Sequence, residues 1–227
     1  MRMQASEKPA VLAIDPWAAV PFVALAGCVD AIGWLRFDQL FVSFISGTST
    51  MLGIATAQGH AARAAALATV VGLFAGGALL GAVVGVAAGR WRSTAVLSLV
   101  AALLGAALLA PEAGGDLPAA AFAMVPAMGM LNTALPGVGG ITFVTGALSR
   151  AMEGLVLALL GRARHGAWAQ QAACWAAMAG GATLGAVLQG AWGDAALAVP
   201  ATAALAGALV IAERTVAAAG PARDRAG

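Results

Sequence analysis

Charged residues are scarce in this chain, and their scarcity decides its class. Of its 227 residues only 10% are charged, the net charge is +2, and the mean hydropathy is +0.90. A soluble domain of this size could not keep so apolar a surface in water, so the composition predicts an integral membrane protein in contact with the lipid bilayer. The few Lys and Arg residues are scattered, which excludes a surface for nucleic acid and assigns them to loops.

Several patterns that would indicate other classes are also missing. The sequence has no period-two alternation of apolar and polar residues, which excludes a lipid-facing β-barrel. Cys28 and Cys174 lie in apolar segments and are expected to act as small hydrophobes. His60 and His165 have no second ligand at metal spacing, so neither a metal site nor a cofactor is expected. No nucleophile has a base at the same membrane depth, so an enzyme is not expected.

Long uncharged runs predict the transmembrane helices. Residues 64–89 and 167–193 form uninterrupted runs of 26 and 27 residues. Each run exceeds the roughly 20 residues that a helix needs to cross a bilayer. The other crossings are predicted at 16–35, 93–110, 117–135 and 195–212. The chain is therefore predicted to be an all-α integral membrane protein.

Two stretches interrupt this pattern of long helices. Residues 41–45 and 141–144 favour an extended strand, and each is followed by a hydroxyl residue and a glycine, Ser46-Gly47 or Thr145-Gly146, which favour a helix start. The first of these helices, 46–58, would be about 20 Å long, which is too short for a hydrocarbon core of about 30 Å. Each stretch is therefore predicted to form a short strand and a half-helix, as a broken or a re-entrant element.

Corresponding landmarks indicate that the chain is duplicated. Residues 27–30 align with 129–132 at an offset of 102, and Gly47 aligns with Gly146 at an offset of 99. Each half would contain about three full crossings and one short element. Because three is an odd number, the halves are predicted to insert as inverted repeats, as in many secondary transporters. The predicted membrane repeats are 16–112 and 117–212.

The tails and the loop charges predict the topology. Residues 1–15 have mixed charges and no apolar core with a cleavage site, so they are expected to be a retained cytoplasmic tail, and 213–227 a second one. With six crossings and both termini cytoplasmic, nine Lys and Arg residues lie inside and two, Arg36 and Arg63, lie outside. If both short elements also crossed, the division would be eight to three, so the charges leave that choice open.

Glycines recur on one face of each of the two longest runs. Gly77, Gly81 and Gly85 are spaced by four residues, and Gly181 and Gly185 align with Gly81 and Gly85 at an offset of 100. Small residues at this spacing let helix backbones approach closely in a membrane. These glycines are therefore predicted to form packing surfaces, either between the two repeats or between two copies in a homodimer.

The landmarks of the first repeat resemble the signature of a known family. Residues 27–33, together with Phe41-Val42-Ser43 and Ser46-Gly47-Thr48, resemble the opening signature of the YoaK family. Its members are bacterial membrane proteins with a domain of unknown function numbered 1275.

The second repeat resembles the second signature of the same family. The matching residues are 129–132 and 143–150, and the resemblance covers nearly all of 17–212. The asparagine that usually follows Thr-Gly in the family is replaced here by Thr48 and Ala147. The resemblance implies a multi-pass protein of the bacterial inner membrane, and it implies no particular substrate.

Asp30 is a carboxylate within a predicted crossing. An ionised carboxylate that faced lipid would cost several kcal/mol, so Asp30 must face protein or water. Two roles remain open. It accepts hydrogen bonds from the backbone of the adjacent half-helix, or it binds a substrate or a proton. A third possibility is that Asp30 simply lies near the outer membrane interface. Its counterpart in the second repeat is the neutral Asn132, so the two repeats are not chemically equivalent.

The starts of the two half-helices form the predicted substrate site. They are expected to meet near the bilayer centre, where free N–H groups and positive dipole ends would favour an anion. Arg150, one turn into the second half-helix, either adds to that preference or forms an ion pair with Glu153. The predicted substrate-binding residues are Asp30, Ser46, Gly47, Thr48, Asn132, Thr145, Gly146 and Arg150.

Secondary transport is the function that this predicted site favours. The solute would be small and anionic or carboxylate-bearing, and Asp30 would be the candidate proton-coupling group. Two alternatives stay open. One is a channel or transporter for a neutral or cationic solute held by Asp30, and the other is a membrane scaffold that transports nothing.

Overall fold

The computed structural model describes residues 15–110, 117–138, 140–142 and 144–219, and most of them are helical. A 3-10 turn at Pro16–Ala19 leads directly into the first helix. The described helices are α1 Val20–Arg36, α2 Ile45–Ala57, α3 Ala61–Ala88, α4 Arg92–Leu108, α5 Ala121–Leu131, α6 Val144–Leu159, α7 His165–Trp192 and α8 Ala198–Ala219. The all-α prediction is thereby confirmed. Almost all of the predicted tail at 1–15 lies outside the described residues, whereas α8 continues past the predicted boundary at 212.

Three apolar helical stretches are long enough to cross a membrane, and each of the two longer ones consists of two consecutive helices. They are Pro16–Arg36, Ala61–Leu108 and His165–Ala218, of 21, 48 and 54 residues. Gly89 and Gly193 divide the two longer stretches, with φ of 55° at both and ψ of −118° and −133°. Residues with a β-carbon rarely adopt this backbone conformation, so the helix ends at each glycine.

The chain reverses direction at the first of these glycines. The Arg92 side chain lies so close to Gly85 that a β-carbon at Gly85 would be 2.9 Å from the Arg92 Nε. In a continuous helix, residues seven positions apart would be separated by about 10 Å along the axis. α4 therefore folds back from α3. Large apolar side chains such as Leu79 and Val86 are exposed along α3, as expected for a surface that faces lipid.

The predicted crossing at 117–135 contains a shorter helix than expected. α5 has 11 residues, which corresponds to about 17 Å. Its end follows from the residues after Leu131. The Asn132 side chain donates to the Met128 carbonyl (3.0 Å), Pro136 cannot continue a helical hydrogen-bond pattern, and Gly137 has a φ of 82°.

The two predicted strands do not form among the described residues. Residues 41–44 are irregular, and α2 and α6 begin at Ile45 and Val144. A strand needs a neighbour that satisfies its backbone hydrogen bonds. Here the backbone before α2 is bound instead by a side chain of α1, as described below, so a short helix forms without a strand.

The glycine faces pack the two halves of the chain against each other. A β-carbon at Gly77 would overlap the backbone of Pro126 in α5, and one at Gly181 would overlap the backbone of Ala24 in α1. Gly81 and Gly185 make the next contacts along the same helices, with Met130 and Cys28, and Gly85 lies against Arg92. All five glycines contact other parts of the same chain, which matches the predicted packing between the two halves for four of them, and a homodimer through these glycines stays a prediction.

The register of these contacts corrects the predicted offset. Ala24 and Pro126 differ by 102, whereas their partners Gly181 and Gly77 differ by 104. Gly77 and Gly81, rather than Gly81 and Gly85, therefore correspond to Gly181 and Gly185. The predicted offset of 100 missed one helical turn because the connection and half-helix before α7 are together longer than those before α3. In both pairs the residue numbers rise together, so α1 runs parallel to α7 and α3 runs parallel to α5.

Contacts between helix ends show that α2 leaves and returns at one end of the bundle. The Arg63 guanidinium, near the start of α3, donates to the Asp38 carbonyl just after α1 (2.9 Å). At the same end Arg36 forms an ion pair with Asp194, just after α7 (2.8 Å). We call this the far end of the bundle. The segment between α1 and α3 therefore does not connect the two ends.

The other end of the bundle contains the start of α1, and we call it the N-terminal end. There the Gln170 amide of α7 donates to the Pro16 carbonyl (3.0 Å). Arg92, at the start of α4, donates to the Thr133 carbonyl just after α5 (3.0 Å). The segment between α5 and α7, which contains α6, therefore also leaves and returns at one end.

Candidate functional site

Asp30 binds the backbone that leads into α2. Its side chain is buried, and Oδ1 accepts hydrogen bonds from the N–H groups of Val42 and Ser43 (2.8 Å each). Oδ2 accepts a third hydrogen bond from the Ser43 hydroxyl (2.8 Å). Of the two roles predicted for Asp30, this geometry matches the first, because its oxygens satisfy donors of the α1–α2 connection that would otherwise be buried without partners.

Asn132 performs the same task before α6. Its Oδ1 accepts from the Thr142 N–H (3.1 Å) and from the Thr142 hydroxyl (3.2 Å). Ser43 and Thr142 are 99 residues apart, as are Gly47 and Gly146. The two halves therefore brace their half-helices in the same way, with a carboxylate in the first half and an amide in the second.

The two short helices that were predicted to converge do not touch each other. No Cα atom of α2 lies within 8 Å of α6, since α2 packs on α3 and α6 packs on α7. A short turn folds each half-helix back along the helix that follows it, and this holds the two starts apart. The two starts are therefore not in contact, and one central site built from both starts stays a prediction.

The residues at these two starts have different surroundings. At α2, Ser46 is exposed, Gly47 lies against the Phe44 ring, and the buried Thr48 hydroxyl donates to the Phe44 carbonyl (3.2 Å). At α6, Thr145 is exposed, and a β-carbon at Gly146 would be 2.9 Å from Nη1 of Arg150. The second start therefore has the Arg150 guanidinium beside it, whereas the connection into the first start is bound by the Asp30 carboxyl group.

A cavity of about 1220 Å³ lies beside α6 at the N-terminal end of the bundle. Its walls are the 3-10 turn before α1, the connection after α5, one face of α6 and the first turns of α7. The polar and aromatic residues that line it are Asp15, Trp17, Arg150, Trp168, Gln170 and Gln171, and Cys174 adds a thiol. Of the predicted site residues, only Arg150 lines this cavity.

A continuous chain of hydrogen bonds fixes the polar wall. The Arg150 Nε donates to the Gln171 Oε1 (3.1 Å), and the Gln171 amide donates to the Gln170 Oε1 (2.8 Å). The Gln170 amide in turn donates to the Pro16 carbonyl (3.0 Å) and to the Cys174 sulfur (3.4 Å). Arg150 is therefore held by α7, and through α7 by the beginning of α1.

The predicted alternative of an Arg150–Glu153 ion pair is not formed. The ion pairs within the described part of the chain are Arg36–Asp194 and Arg63–Asp38. Arg150 uses its Nε for Gln171, and its two Nη atoms donate to no group among the described residues. The guanidinium edge of Arg150 is consequently available to a ligand.

The two glutamines were not among the predicted site residues, although the sequence contains a signal for them. The run 167–193 was interpreted only through its lack of charge, and Gln170 and Gln171 stand together inside it. Burying an amide in an apolar environment is costly unless it has hydrogen-bond partners. Adjacent amides in an apolar run therefore indicate a polar environment at that depth.

The corresponding positions of the first half are apolar. Subtracting 99 along α6 and 104 along α7 relates Arg150 to Met51, Gln170 to Ala66, Gln171 to Leu67 and Cys174 to Val70. Leu67 and Val70 are each 1% exposed. Around the same connection Trp34 stacks on Phe41, and Phe41 packs on Phe44, with ring centroids 4.3 and 5.2 Å apart. The first half therefore fills the space that the second half leaves as a polar cavity.

Comparison with known proteins gives one family and one relative. A family model described as "Protein of unknown function (DUF1275)" matches residues 18–210. The chain is 43% identical over 192 residues to the UPF0700 transmembrane protein RA0705 of Rhizobium meliloti (strain 1021), and the match covers 83% of this chain and 81% of that protein. No solved structure matches the chain.

Proposed function

We propose, from the premise that this chain belongs to the DUF1275 family and is an integral membrane protein, that it transports a small anionic or carboxylate-bearing solute. The solute would bind in the cavity beside α6, with Arg150 as its cationic contact. The site predicted from the sequence lay between the starts of two half-helices. The site proposed here lies in the cavity that is lined by α6 and α7.

The difference between the two halves supports the proposal most directly. Gln170 is buried and Gln171 is partly buried, whereas Arg150 is exposed. Polar groups inside a membrane protein are expensive and are usually functional. The first half builds the same brace and the same helix pairs with Met51, Leu67 and Val70 at the corresponding positions. The fold therefore does not need Arg150, Gln171 and their hydrogen-bond chain for packing, which favours a role in binding.

The chemistry of the cavity wall favours a carboxylate or another oxyanion. A guanidinium held through Nε keeps both Nη groups for a planar, bidentate contact with two oxygen atoms. The start of α6 adds a positive dipole end on the same side of the cavity. Asp15, which also lines the cavity, already accepts a hydrogen bond from the Trp17 N–H (3.0 Å) at the N-terminal rim.

The proposal includes an inverted-repeat topology with six crossings and two re-entrant half-helices. The N-terminal end of the bundle would be cytoplasmic, as would both termini, in a bacterial inner membrane. The positive-inside rule supports this orientation. The directions of the helices place Arg90, Arg92 and Arg214 at the N-terminal end of the bundle, whereas Arg36 and Arg63 lie at the far end. The cavity would then be reached from the cytoplasm.

Asp30 is not assigned a proton-coupling role in this proposal. Its two oxygens already accept three hydrogen bonds, and it is not part of the cavity wall. Its contribution is to hold the connection before α2 in place.

The test is a thermal-unfolding screen of the purified protein in detergent. The panel contains small carboxylates, inorganic oxyanions, amines and neutral amides, applied to the unaltered protein, to Arg150→Ala and to the control Arg164→Ala. We expect at least one anion to stabilise the protein, by about 2.7 kcal/mol at a hundredfold excess over its dissociation constant. Arg150→Ala should lose this response and Arg164→Ala should keep it. Uptake of the same anion into proteoliposomes then tests transport.

Other outcomes would contradict the proposal in distinct ways. Stabilisation only by amines or amides would favour the neutral or cationic alternative, and an anion effect that Arg150→Ala retains would place the site elsewhere. If no solute stabilised the protein, the result would favour a scaffold. Binding without uptake would retain the site and exclude transport.

A further inference from the structure

We propose that the solute pathway has a second gate, built from the packed residues of the first half and opening at the far end of the bundle. We call these residues the far-end cluster: Trp34, Phe41, Phe44, Met51, Leu67 and Val70. This inference rests on the proposed transport function, and it adds the route by which a solute bound near Arg150 would leave the protein.

The first step is that the two halves form equivalent helix pairs. Gly27 of α1 meets the backbone of Met178 and Ala182 in α7, and Gly129 of α5 meets the backbone of Phe74 and Ala78 in α3. The offsets are 102 between Gly27 and Gly129, and 104 between their partners, as for the contacts at Gly77 and Gly181. The two pairs therefore use one register, and exchanging the roles of the halves would preserve their contacts.

The second step is that the half-helices occupy equivalent places on these pairs. α2 packs on α3 as α6 packs on α7. Each is attached to the preceding helix by the equivalent side chain, Asp30 for α2 and Asn132 for α6. A space beside α6 and α7 at the N-terminal end therefore has a counterpart beside α2 and α3. Because the segment between α1 and α3 lies at the far end, the counterpart faces that end.

The third step is that apolar side chains stand at the counterpart positions, with Phe44 still 39% exposed. Leu67 and Val70 are buried in the core, Met51 packs partly against it, and the rings of Trp34, Phe41 and Phe44 pack together. Aromatic pairs of this kind contribute only about 0.5–1.5 kcal/mol beyond their burial. Rotation of these side chains with a shift of α2 could open the space without breaking the Asp30 hydrogen bonds or the glycine contacts.

The inference follows from combining these steps. A duplicated transporter with one half open and the other closed reaches its second state when the halves exchange conformations. The structure would then show the state that is open at the N-terminal end. Closure of the space around Arg150 would accompany opening of the far-end cluster.

Single cysteines test this gate, and the position that corresponds to Cys174 in the first half is chosen for labelling. Val70 is the counterpart of Cys174 and is 1% exposed, and Val100 of α4 is 0% exposed outside both regions. Val70 and Val100 are each changed to cysteine, in separate variants of a chain whose own cysteines are replaced (Cys28→Ser and Cys174→Ser). Each variant is studied in right-side-out membrane vesicles. A membrane-impermeant thiol reagent is then added outside. Gln39→Cys, which is exposed beside the far-end cluster, shows the labelling rate of an open position.

We expect Val70→Cys to react at least tenfold faster than Val100→Cys. The stabilising anion found in the binding screen should change the Val70→Cys rate, because it should shift the balance between the two states. If Val70→Cys is as unreactive as Val100→Cys while Gln39→Cys is fully labelled, the gate does not exist. Should Val70→Cys fail to fold, Met51→Cys replaces it, since Met51 is only partly buried.

This experiment fails separately from the proposed function. If Val70→Cys stays unreactive while Arg150→Ala still abolishes anion stabilisation, the binding site stands and the far-end gate is wrong. If Val70→Cys reacts but no anion in the panel changes its labelling rate, the gate stands and the assignment of the solute is wrong.

Discussion

The connections before α2 and before α6 have the same brace but different contents. In the first half, Asp30 holds a connection whose aromatic rings pack together, and Leu40 and Val42 are buried there. In the second half, Asn132 holds a connection that borders a cavity of about 1220 Å³. The comparison separates residues that maintain the fold from residues that differ for another reason.

Each half serves as a control for the other. Features present in both halves, such as the brace and the glycine contacts, are required by the fold. Features present in only one half, such as Arg150 and the two glutamines, are not. The following predictions test this division, beginning with the largest expected effect.

Neighbouring glycines provide the strongest test of the shared framework. A β-carbon at Gly181 would overlap the Ala24 backbone, whereas one at Gly180 would meet nothing within 4 Å. We expect Gly181→Ala to lower the free energy of unfolding by about 3 kcal/mol or more, because backbones in contact cannot absorb the added volume. Gly180→Ala should be neutral. The yield of monodisperse protein after detergent extraction and the unfolding temperature measure both.

The first half allows the same test. Gly77 lies against the Pro126 backbone, and Gly76 faces open space. If Gly77→Ala and Gly76→Ala behave alike, close backbone contact is not what joins α3 to α5, and the equivalence of the halves fails.

Removing the two braces should have unequal effects. Asp30→Ala leaves two N–H groups and the Ser43 hydroxyl without acceptors, and each buried donor left alone costs about 1–3 kcal/mol. Asn132→Ala should cost less, because Thr142 is only partly buried. Asp30→Asn keeps one oxygen acceptor and should fall between them, as chemical unfolding would show.

The same Asp30→Asn variant tests proton coupling. We expect any pH dependence of anion uptake to survive this change, since Asp30 is assigned only a bracing role. If uptake by Asp30→Asn becomes independent of pH while the protein remains folded, Asp30 carries the coupled proton after all.

Copying residues of the first half into the second should remove the site and keep the fold. Arg150→Met with Gln171→Leu reproduces Met51 and Leu67. We expect anion affinity to fall at least a hundredfold, or about 2.7 kcal/mol, and Gln171→Leu alone to cost about tenfold. The unfolding temperature without solute should not fall, with Arg164→Met as the matched control. A fall would mean that the hydrogen-bond chain stabilises the fold.

The smallest expected effect concerns the turn after each braced helix. Asp38, in the turn after α1, has a φ of 46°, and Gly137, in the turn after α5, has a φ of 82°. A residue with a β-carbon is strained there, so Asp38→Gly should stabilise the protein by up to about 1 kcal/mol and Gly137→Ala should destabilise it similarly. The Arg63–Asp38 ion pair is long and its carboxylate is exposed, so losing it should matter little. Destabilisation by Asp38→Gly would show that the pair outweighs the strain.

Helix positions could be predicted from the sequence because they depend on local properties. The runs 64–89 and 167–193 lie almost entirely within α3 and α7, and α2 differs by one residue at each end from the predicted 46–58. Run length and the pattern around Gly47 carry this information. The family resemblance was also sound, since the DUF1275 family model covers residues 18–210.

Contacts between distant parts of the chain were harder to predict. The glycine faces were recognised, but their partners depend on loop lengths, and with the longer connection before α7 the offset is 104 rather than the predicted 100. The convergence of the half-helix starts was inferred from topology and stays a prediction, whereas the packing of α2 on α3 was not foreseen. Gln170 and Gln171 were overlooked because attention to charge hides uncharged polar groups.

The parallel pairing of α1 with α7 imposes an order on biosynthesis. The backbone of Gly27 packs on α7, which is translated and inserted about 150 residues later. In the same way, the glycines of α3 gain their partners only when α5 has been inserted. Contacts that close such long stretches of chain form late. The first half would therefore leave the translocon with its glycine surfaces open to lipid, and neither half would be a folded unit that could be expressed alone.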